Sequence, residues 1–326
     1  MTAGKALATL PGNDVDARDP STFARTLAVA SNLLDRLFGP RIEGASHLAS
    51  DGPALVVGNH SGGTLAMIEP LLFAHALRRE LEVEQLPHLL LHEVLWHTPL
   101  ARWIARHGAV RASRANAEGL FARGRKVLVY PGGDREAYRS FWDRDRVRFG
   151  ERRGYVQLAI ERGVPIVPVV TAGMHSSFLS LTDGHALAER FPLARYFRVA
   201  VLPMTIGLPF GLVPFAPPPY VPFVGRVRIR VLPPIHFTRR GPEAAADPAY
   251  VESCHRIVVG TMQRALDALA TERRAERRRD FHARLDALVD LVERWTVRQP
   301  AERPSLAPLQ LRPAETTPRD SLPRAA

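Results

Sequence analysis

The chain has 326 residues, 46% of them hydrophobic and 24% charged, a balance that excludes a wholly disordered, collagen-like or heptad-built protein. Its 44 Lys and Arg against 33 Asp and Glu give a net charge of +11, almost all of it carried by Arg because Lys5 and Lys126 are the only lysines. A single cysteine, Cys254, excludes an intramolecular disulfide and suits a reducing compartment.

The first 20 residues have the composition of a flexible arm and lack the apolar core of a secretory signal, so a cytoplasmic location is expected. From Ser21 to Phe38 the apolar residues Phe23, Leu27, Ala30, Leu34 and Leu37 follow a helical period, with Ser21 placed as N-cap. The apolar face of this helix suits either the core or a lipid surface. Ala54–Val57, Leu89–Leu91, Lys126–Tyr130 and Val164–Val170 are short aliphatic runs bounded by Gly, Pro or polar residues, the pattern of buried strands. Helical patterns at 64–80, 98–107, 114–123 and 152–162 fall beside them. That alternation predicts an α/β fold, with a mostly parallel central sheet flanked by helices.

Residues 199–225 carry no formal charge, and prolines at 203, 209, 214, 217, 218, 219 and 222 disfavour a membrane-spanning helix there. The segment suits an irregular apolar surface, lining an acyl pocket or touching a membrane, or equally a buried layer. Arg226–Leu232 alternates as a half-buried strand, and helical stretches follow at 248–271 and 277–297. From Pro300 onward six prolines mark a disordered tail. The expected organisation is an arm at 1–20, a main domain at 21–271, a C-terminal helix at 272–299 and a tail at 300–326.

Gly58-Asn59-His60-Ser61-Gly62-Gly63 directly follows the first buried strand. Open α/β sheets place their chemistry at such strand ends, and an imidazole, titrating near neutrality, suits taking a proton from a hydroxyl. Gly62 and Gly63 allow a substrate or a backbone to approach closely. The bland alternative is a histidine that only hydrogen-bonds its own turn. A second strand end, Lys126–Tyr130, runs into Pro131-Gly132-Gly133-Asp134-Arg135-Glu136, and Gly108 to Arg114 adds Arg111, Ser113 and Arg114 beside a short strand. Glycine turns with guanidinium groups at their exits suit an anion or ester oxygen.

In their order these motifs resemble the PlsC-like lysophospholipid and glycerolipid acyltransferases over roughly residues 40–235. Asn59-His60 resembles the first family motif, in which the His is general base on the acceptor hydroxyl. Gly108 to Arg114 resembles the second, Tyr130 to Arg135 the third, and Val164-Pro165-Ile166-Val167-Pro168-Val169 the fourth. The resemblance implies transfer of a fatty acyl group from acyl-CoA or an acyl carrier protein, as co-substrate and without any other cofactor, to a lipid hydroxyl. His60 would be the base. Asn59, Gly62, Gly63, Arg111, Ser113, Arg114, Gly132, Gly133, Arg135 and Glu136 would bind substrate, with Arg111, Arg114 and Arg135 holding a phosphate. An anionic membrane surface is the expected partner, and attachment is expected to be peripheral.

Two departures stand out. The family motif has an Asp five residues after the His, where this chain has Leu65. The nearest downstream carboxylate, Glu69, lies about two and a half helical turns from His60, on the far face of an unbroken helix. A break at Gly62-Gly63 brings Glu69 round; Asp134 and Glu136 are the other candidates to orient the imidazole. The second departure is Gly132 where the family has Glu, which gives a Pro-Gly-Gly-x-Arg-Glu motif. That variant resembles the branch of diacylglycerol and phytyl-ester acyltransferases, so a neutral lipid alcohol joins a lysophospholipid as candidate acceptor. A non-catalytic lipid-binding or scaffolding relative is the rival reading, and a thioesterase a third.

Other chemistries fit poorly. His92 and His97 are five residues apart where one-faced zinc ligation wants four, and no serine-hydrolase elbow, Walker loop or nucleic-acid signature is present. No metal and no nucleic acid are expected. Cys254 is expected to be a packed thiol. Between Arg102 and Arg153 stand 14 Lys and Arg against 6 Asp and Glu, a local charge of +8 around the second and third motifs.

Overall fold

The structure is a computed structural model that describes residues 12–63, 68–177, 179–185, 202–207, 210–214 and 226–297, without the side chains of 94 and 281–297. Residues 1–11 of the arm, Leu65, most of 199–225 and the tail beyond 300 lie outside them. The chain divides into two compact units, Met1–Ala275 and Glu276–Ala326.

Among the described residues ten strands are formed: β1 (Arg41–Glu43), β2 (Ala54–Gly58), β3 (His88–Leu91), β4 (Ala109–Arg111), β5 (Lys126–Val129), β6 (Ile166–Ala172), β7 (Leu179–Thr182), β8 (Met204–Gly207), β9 (Gly211–Pro214) and β10 (Arg228–Val231). The helices are α1 (Pro20–Leu37), α2 (Glu69–Leu77), α3 (Ala101–Arg106), α4 (Arg114–Phe121), α5 (Gly133–Ala137), α6 (Gly154–Arg162), α7 (Pro242–Ala246) and α8 (Pro248–Val297). Seven strands form one sheet in the order β1-β10-β6-β2-β5-β3-β4. All its pairings are parallel except β10 with β6. The fold is therefore mixed α/β with a mostly parallel central sheet flanked by helices. β7, β8 and β9 form a small antiparallel sheet of their own.

Every residue of β2 is buried, and its alternate side chains enter different cores. Leu55 and Val57 pack with α4, α6 and the first part of α8. Ala54 and Val56 pack with α1 and α2 on the opposite face. A strand covered on both faces reads as a continuous aliphatic run, which is why β2, β5 and β6 stand out in the sequence. At roughly 25 cal/mol per Å², such fully buried Val and Leu side chains stabilise the fold by about 1.5–3 kcal/mol each.

Some boundaries differ from those the sequence suggests. The helix predicted from Ser21 begins at Pro20, and Asp19 is its cap, accepting from the Thr22 backbone N–H at 3.0 Å. Ser21 instead donates its hydroxyl to Asp19. The described end of the arm is also not loose. Arg18 donates to the carbonyls of Leu86 and Pro87 at 2.7 and 2.9 Å, and the Gly12 carbonyl accepts from the Arg111 backbone. These are backbone and cation contacts, which leave no hydropathy signal. The two C-terminal helical stretches are one helix, α8, since the Thr271–Arg279 joint is rich in Glu, Arg and Ala, all strong helix formers. Cys254 is buried in the core, and burial raises its thiol pKa.

Candidate active site

The C-terminal ends of β2, β5 and β6 are neighbours in the sheet, and the loops that leave them meet around His60. Asn59, fully buried, anchors the first loop: its amide donates to the Thr171 carbonyl at 3.1 Å and accepts from the Thr171 N–H at 2.7 Å. The side chain thus extends the β2–β6 ladder by one step. Both ends of its amide are committed to β6.

Beyond Asn59 the chain turns sharply, with Gly62 at φ +97°, a conformation L side chains rarely adopt. Helix α2 begins only at Glu69, so the helical phase that separates Glu69 from His60 does not apply. Glu69 accepts from the Ser61 N–H at 3.0 Å and from its hydroxyl at 3.2 Å, and its Oε2 lies 2.8 Å from Nδ1 of His60. The carboxylate is buried, while the imidazole keeps 18% of its surface exposed. Among the described residues Nε2 of His60 makes no hydrogen bond. Tyr130 stacks on the imidazole, ring centroids 4.5 Å apart and planes 24° from parallel. Gly58 permits this stack, since a Cβ there would lie 2.6 Å from the phenol ring.

The loop after β5 closes the site from below. Glu136, fully buried, accepts from the His60 N–H and the Arg148 N–H, each at 2.9 Å. Burial raises its pKa, and neighbouring Arg139 opposes that rise. Glu136 also accounts for the glycine at 132, because a side chain built there would run into its carboxylate. Arg139, equally buried, donates to the carbonyls of His60 and Glu136 through Nη1, of Asp143 through Nε and of Arg144 through Nη2. From the end of β6 comes His175, whose Nε2 donates to the Arg139 carbonyl at 2.6 Å while Nδ1 accepts from the Gly62 N–H at 3.3 Å. Burial, with the Arg139 charge beside it, lowers its pKa to about 3. Burial likewise pushes the Tyr130 phenol well above its ordinary value.

Of the residues singled out in the sequence, His60, Glu69, Asn59, Gly62, Gly132 and Glu136 come together here. Gly133 lies in the same loop, its N–H donating to the Tyr130 carbonyl at 3.1 Å. Arg135 is exposed, with no carboxylate partner among the described residues. Ser113 caps α4, accepting from the Asn116 N–H at 3.2 Å. Arg111 pairs with Glu93 beside Trp96, and Arg114 pairs with Glu118 and Glu161. These last three stand at or just beyond β4, which lies three strands from β2, about 14 Å away. Asp134 caps the Arg135 N–H and does not reach the imidazole. His97 pairs with Glu93, and among the described residues no three His, Cys, Asp or Glu side chains are grouped to hold a metal. Sequence reasoning gave no role to Tyr130, Arg139 or His175. The signals were present: Tyr130 and His175 stand at strand ends like His60, and Arg139 lies three residues after Glu136.

The chain spans about half the length of the curated relatives it matches. An uncharacterized protein of Mycobacterium tuberculosis is 34% identical over 179 residues, 54% of this chain and 49% of its own. The human protein named DGAT1/2-independent enzyme synthesizing storage lipids is 29% identical over 188 residues, 56% of this chain and 55% of its own. The crystal structure of 1-acyl-sn-glycerophosphate (LPA) acyltransferase, PlsC, from Thermotoga maritima has a TM-score of 0.44 at 18% identity, covering 77% of this chain and 79% of that one. The Acyltransferase family model matches residues 39–172, the span that contains His60, Glu69, Glu136 and Arg139. Residues 39–172 of the chain therefore match an Acyltransferase domain of the PlsC-like kind.

Proposed function

We propose that the chain moves a fatty acyl group from an acyl thioester, acyl-CoA or an acyl carrier protein, to the hydroxyl of a lipid alcohol, with His60 as general base. One observation carries the reading: Glu69 holds Nδ1 of a partly exposed His60 whose Nε2 is unpaired among the described residues. A carboxylate on Nδ1 keeps the proton there, leaves the Nε2 lone pair for the acceptor hydroxyl and stabilises the imidazolium that forms. The acceptor oxygen attacks the thioester carbonyl as Nε2 takes its proton. The ester C–O bond forms, the C–S bond breaks, and the proton on Nε2 passes to the departing thiolate. The N–H groups of His60, Ser61 and Gly62 already serve Glu136, Glu69 and His175, so they are not the oxyanion donors. Arg135 is the guanidinium free to meet a phosphate of donor or acceptor. Arg111 and Arg114 would do so only by releasing their carboxylates. A diacylglycerol or similar neutral alcohol is the favoured acceptor over a lysophospholipid, in keeping with the storage-lipid activity in the human relative's name.

Peripheral attachment to an anionic bilayer is part of the same reading. No helix among the described residues is long and apolar enough to cross a membrane. Val29 and Leu33 on α1 are 85% and 59% exposed, and Leu100 and Trp103 at α3 are 59% and 48% exposed. The Trp103 ring packs at a tilt against His107, which hydrogen-bonds Thr26, one turn before Val29. Arg25, Arg36, Arg102 and Arg106 flank them without a carboxylate partner among the described residues, a composition suited to an interface with anionic lipid.

Thioester release from long-chain acyl-CoA, with a panel of lipid alcohols and lysophospholipids, tests the chemistry. His60→Ala is expected to abolish acyl transfer while the thermal unfolding midpoint stays within a few degrees. Wild-type turnover in that variant would remove His60 as base. Lipid binding without turnover would favour the scaffolding reading, and thiol release without acylated product a thioesterase.

A further inference from the structure

The most unusual charge in the molecule is Arg139. It is wholly buried, none of its hydrogen bonds goes to a carboxylate, and all four go to backbone carbonyls. A guanidinium taken out of water costs several kcal/mol, and a planar fork of donors is the group able to gather several carbonyls at once. Two of these belong to the Asp143–Arg144 turn and one to Glu136, whose carboxylate in turn takes the His60 N–H. The fourth is the carbonyl of His60 itself. Thus the peptide units on both sides of the His60 Cα are held from the β5 loop, one by Glu136 and one by Arg139. His175 adds a third tie, joining the Gly62 N–H to the Arg139 carbonyl. Glu69 and Tyr130 fix the ring, and this latch fixes the backbone from which the ring hangs.

We propose that Arg139 is a positioning residue for acyl transfer, its guanidinium tying the His60 peptide to the β5 loop so that Nε2 stands where the acceptor hydroxyl arrives. The proposal rests on the reading of His60 as base. Because a displacement of about 1 Å can cost a factor of 100 in rate, loss of the latch should appear in kcat and leave KM nearly unchanged. Arg139 touches no substrate and acts only through His60.

The test compares Arg139→Ala, Arg139→Lys and His60→Gln in the full chain, reading kcat, KM, thermal unfolding and the ring 15N signals of His60 in histidine-labelled protein. Arg139→Ala is expected to lose about 100-fold in kcat with KM within a factor of about 3. It should unfold cooperatively, displace the His60 ring signals, and regain at least tenfold of its kcat in millimolar guanidinium chloride (about 1.4 kcal/mol). His60→Gln should regain nothing. Arg139→Lys, which keeps the charge and loses the fork, should fall between wild type and alanine. Wild-type kcat in Arg139→Ala overturns the proposal, as does failure of both Arg139 variants to fold, which makes the residue purely structural. If wild-type protein turns over no thioester, the functional reading has failed, and unmoved His60 signals in Arg139→Ala would then overturn the latch separately.

Discussion

The two ends of the central sheet both bury histidine beside arginine, and they treat the pair in opposite ways. At the C-terminal end of the strands, Glu136, Arg139 and His175 spend their polar atoms on backbone and Glu69 spends its own on Ser61 and Nδ1 of His60, leaving Nε2 of His60 unpaired among the described residues. At the N-terminal end, His88 opens β3 with both ring nitrogens buried and unpaired among the described residues, close to Arg18 and Arg125. Arg18 there clamps the carbonyls of the loop before β3 and binds the end of the N-terminal arm to the domain. A satisfied network rigidifies what it surrounds, and an unsatisfied one only costs stability. The first end is built to hold one atom in place; the second closes a loop.

The largest effect that would break this comparison belongs to Glu69. Glu69→Gln keeps the size of the side chain but offers one acceptor oxygen where the carboxylate serves His60 and both donors of Ser61. A roughly 10²–10⁴-fold fall in kcat is expected, in the range of general-base contributions, measured by thioester release. An unchanged kcat would show that the imidazole does not depend on this carboxylate. Next comes Glu136→Leu, which leaves the buried Arg139 without its neighbouring negative charge and strips the acceptor from two N–H groups. Removing one partner of a buried charged pair costs about 3–5 kcal/mol, to be read from urea unfolding. Gly58→Ala is smaller, at about 1–3 kcal/mol for an overpacked site. It should also reduce kcat, because the Tyr130 ring has to leave its stack on His60.

What was legible in the sequence follows from which interactions leave a pattern. β2, β5 and β6 are buried on both faces and appear as aliphatic runs, so the sheet and the loops at its C-terminal end were readable. The reversed direction of β10 was not, because Arg228–Val231 alternates in the same way whichever way it runs. The pairing of Glu69 with His60 was half legible. A carboxylate nine residues on is excluded only if the helix is continuous, and the glycine turn with a helix beginning at Glu69 removes that condition. Arg139 and His175 bind carbonyls and N–H groups of distant segments, contacts that have no sequence period. The same holds for the end of the arm, whose anchoring lies in Arg18 and in backbone.

His88→Leu sharpens the comparison with the smallest effect. Burial, and then the charges of Arg18 and Arg125, hold the pKa of His88 down to about 2, against an ordinary 6.5. Between those values the unfolded chain binds a proton that the folded chain refuses, so stability falls as the pH falls through that window. The slope is up to about 1.4 kcal/mol per pH unit for one histidine. His175, lowered to about 3, adds the same slope over a slightly narrower window. Replacing His88 by Leu removes one of these two contributions and also two unpaired buried nitrogens, so a gain of about 1 kcal/mol at pH 7 is expected. Urea unfolding at pH 7 and pH 5 should show that gain growing as the pH falls. His175→Leu should flatten the same slope yet lose stability at pH 7, because its nitrogens serve Gly62 and Arg139. Equal losses at pH 7 in both variants would mean that the two ends of the sheet are built alike.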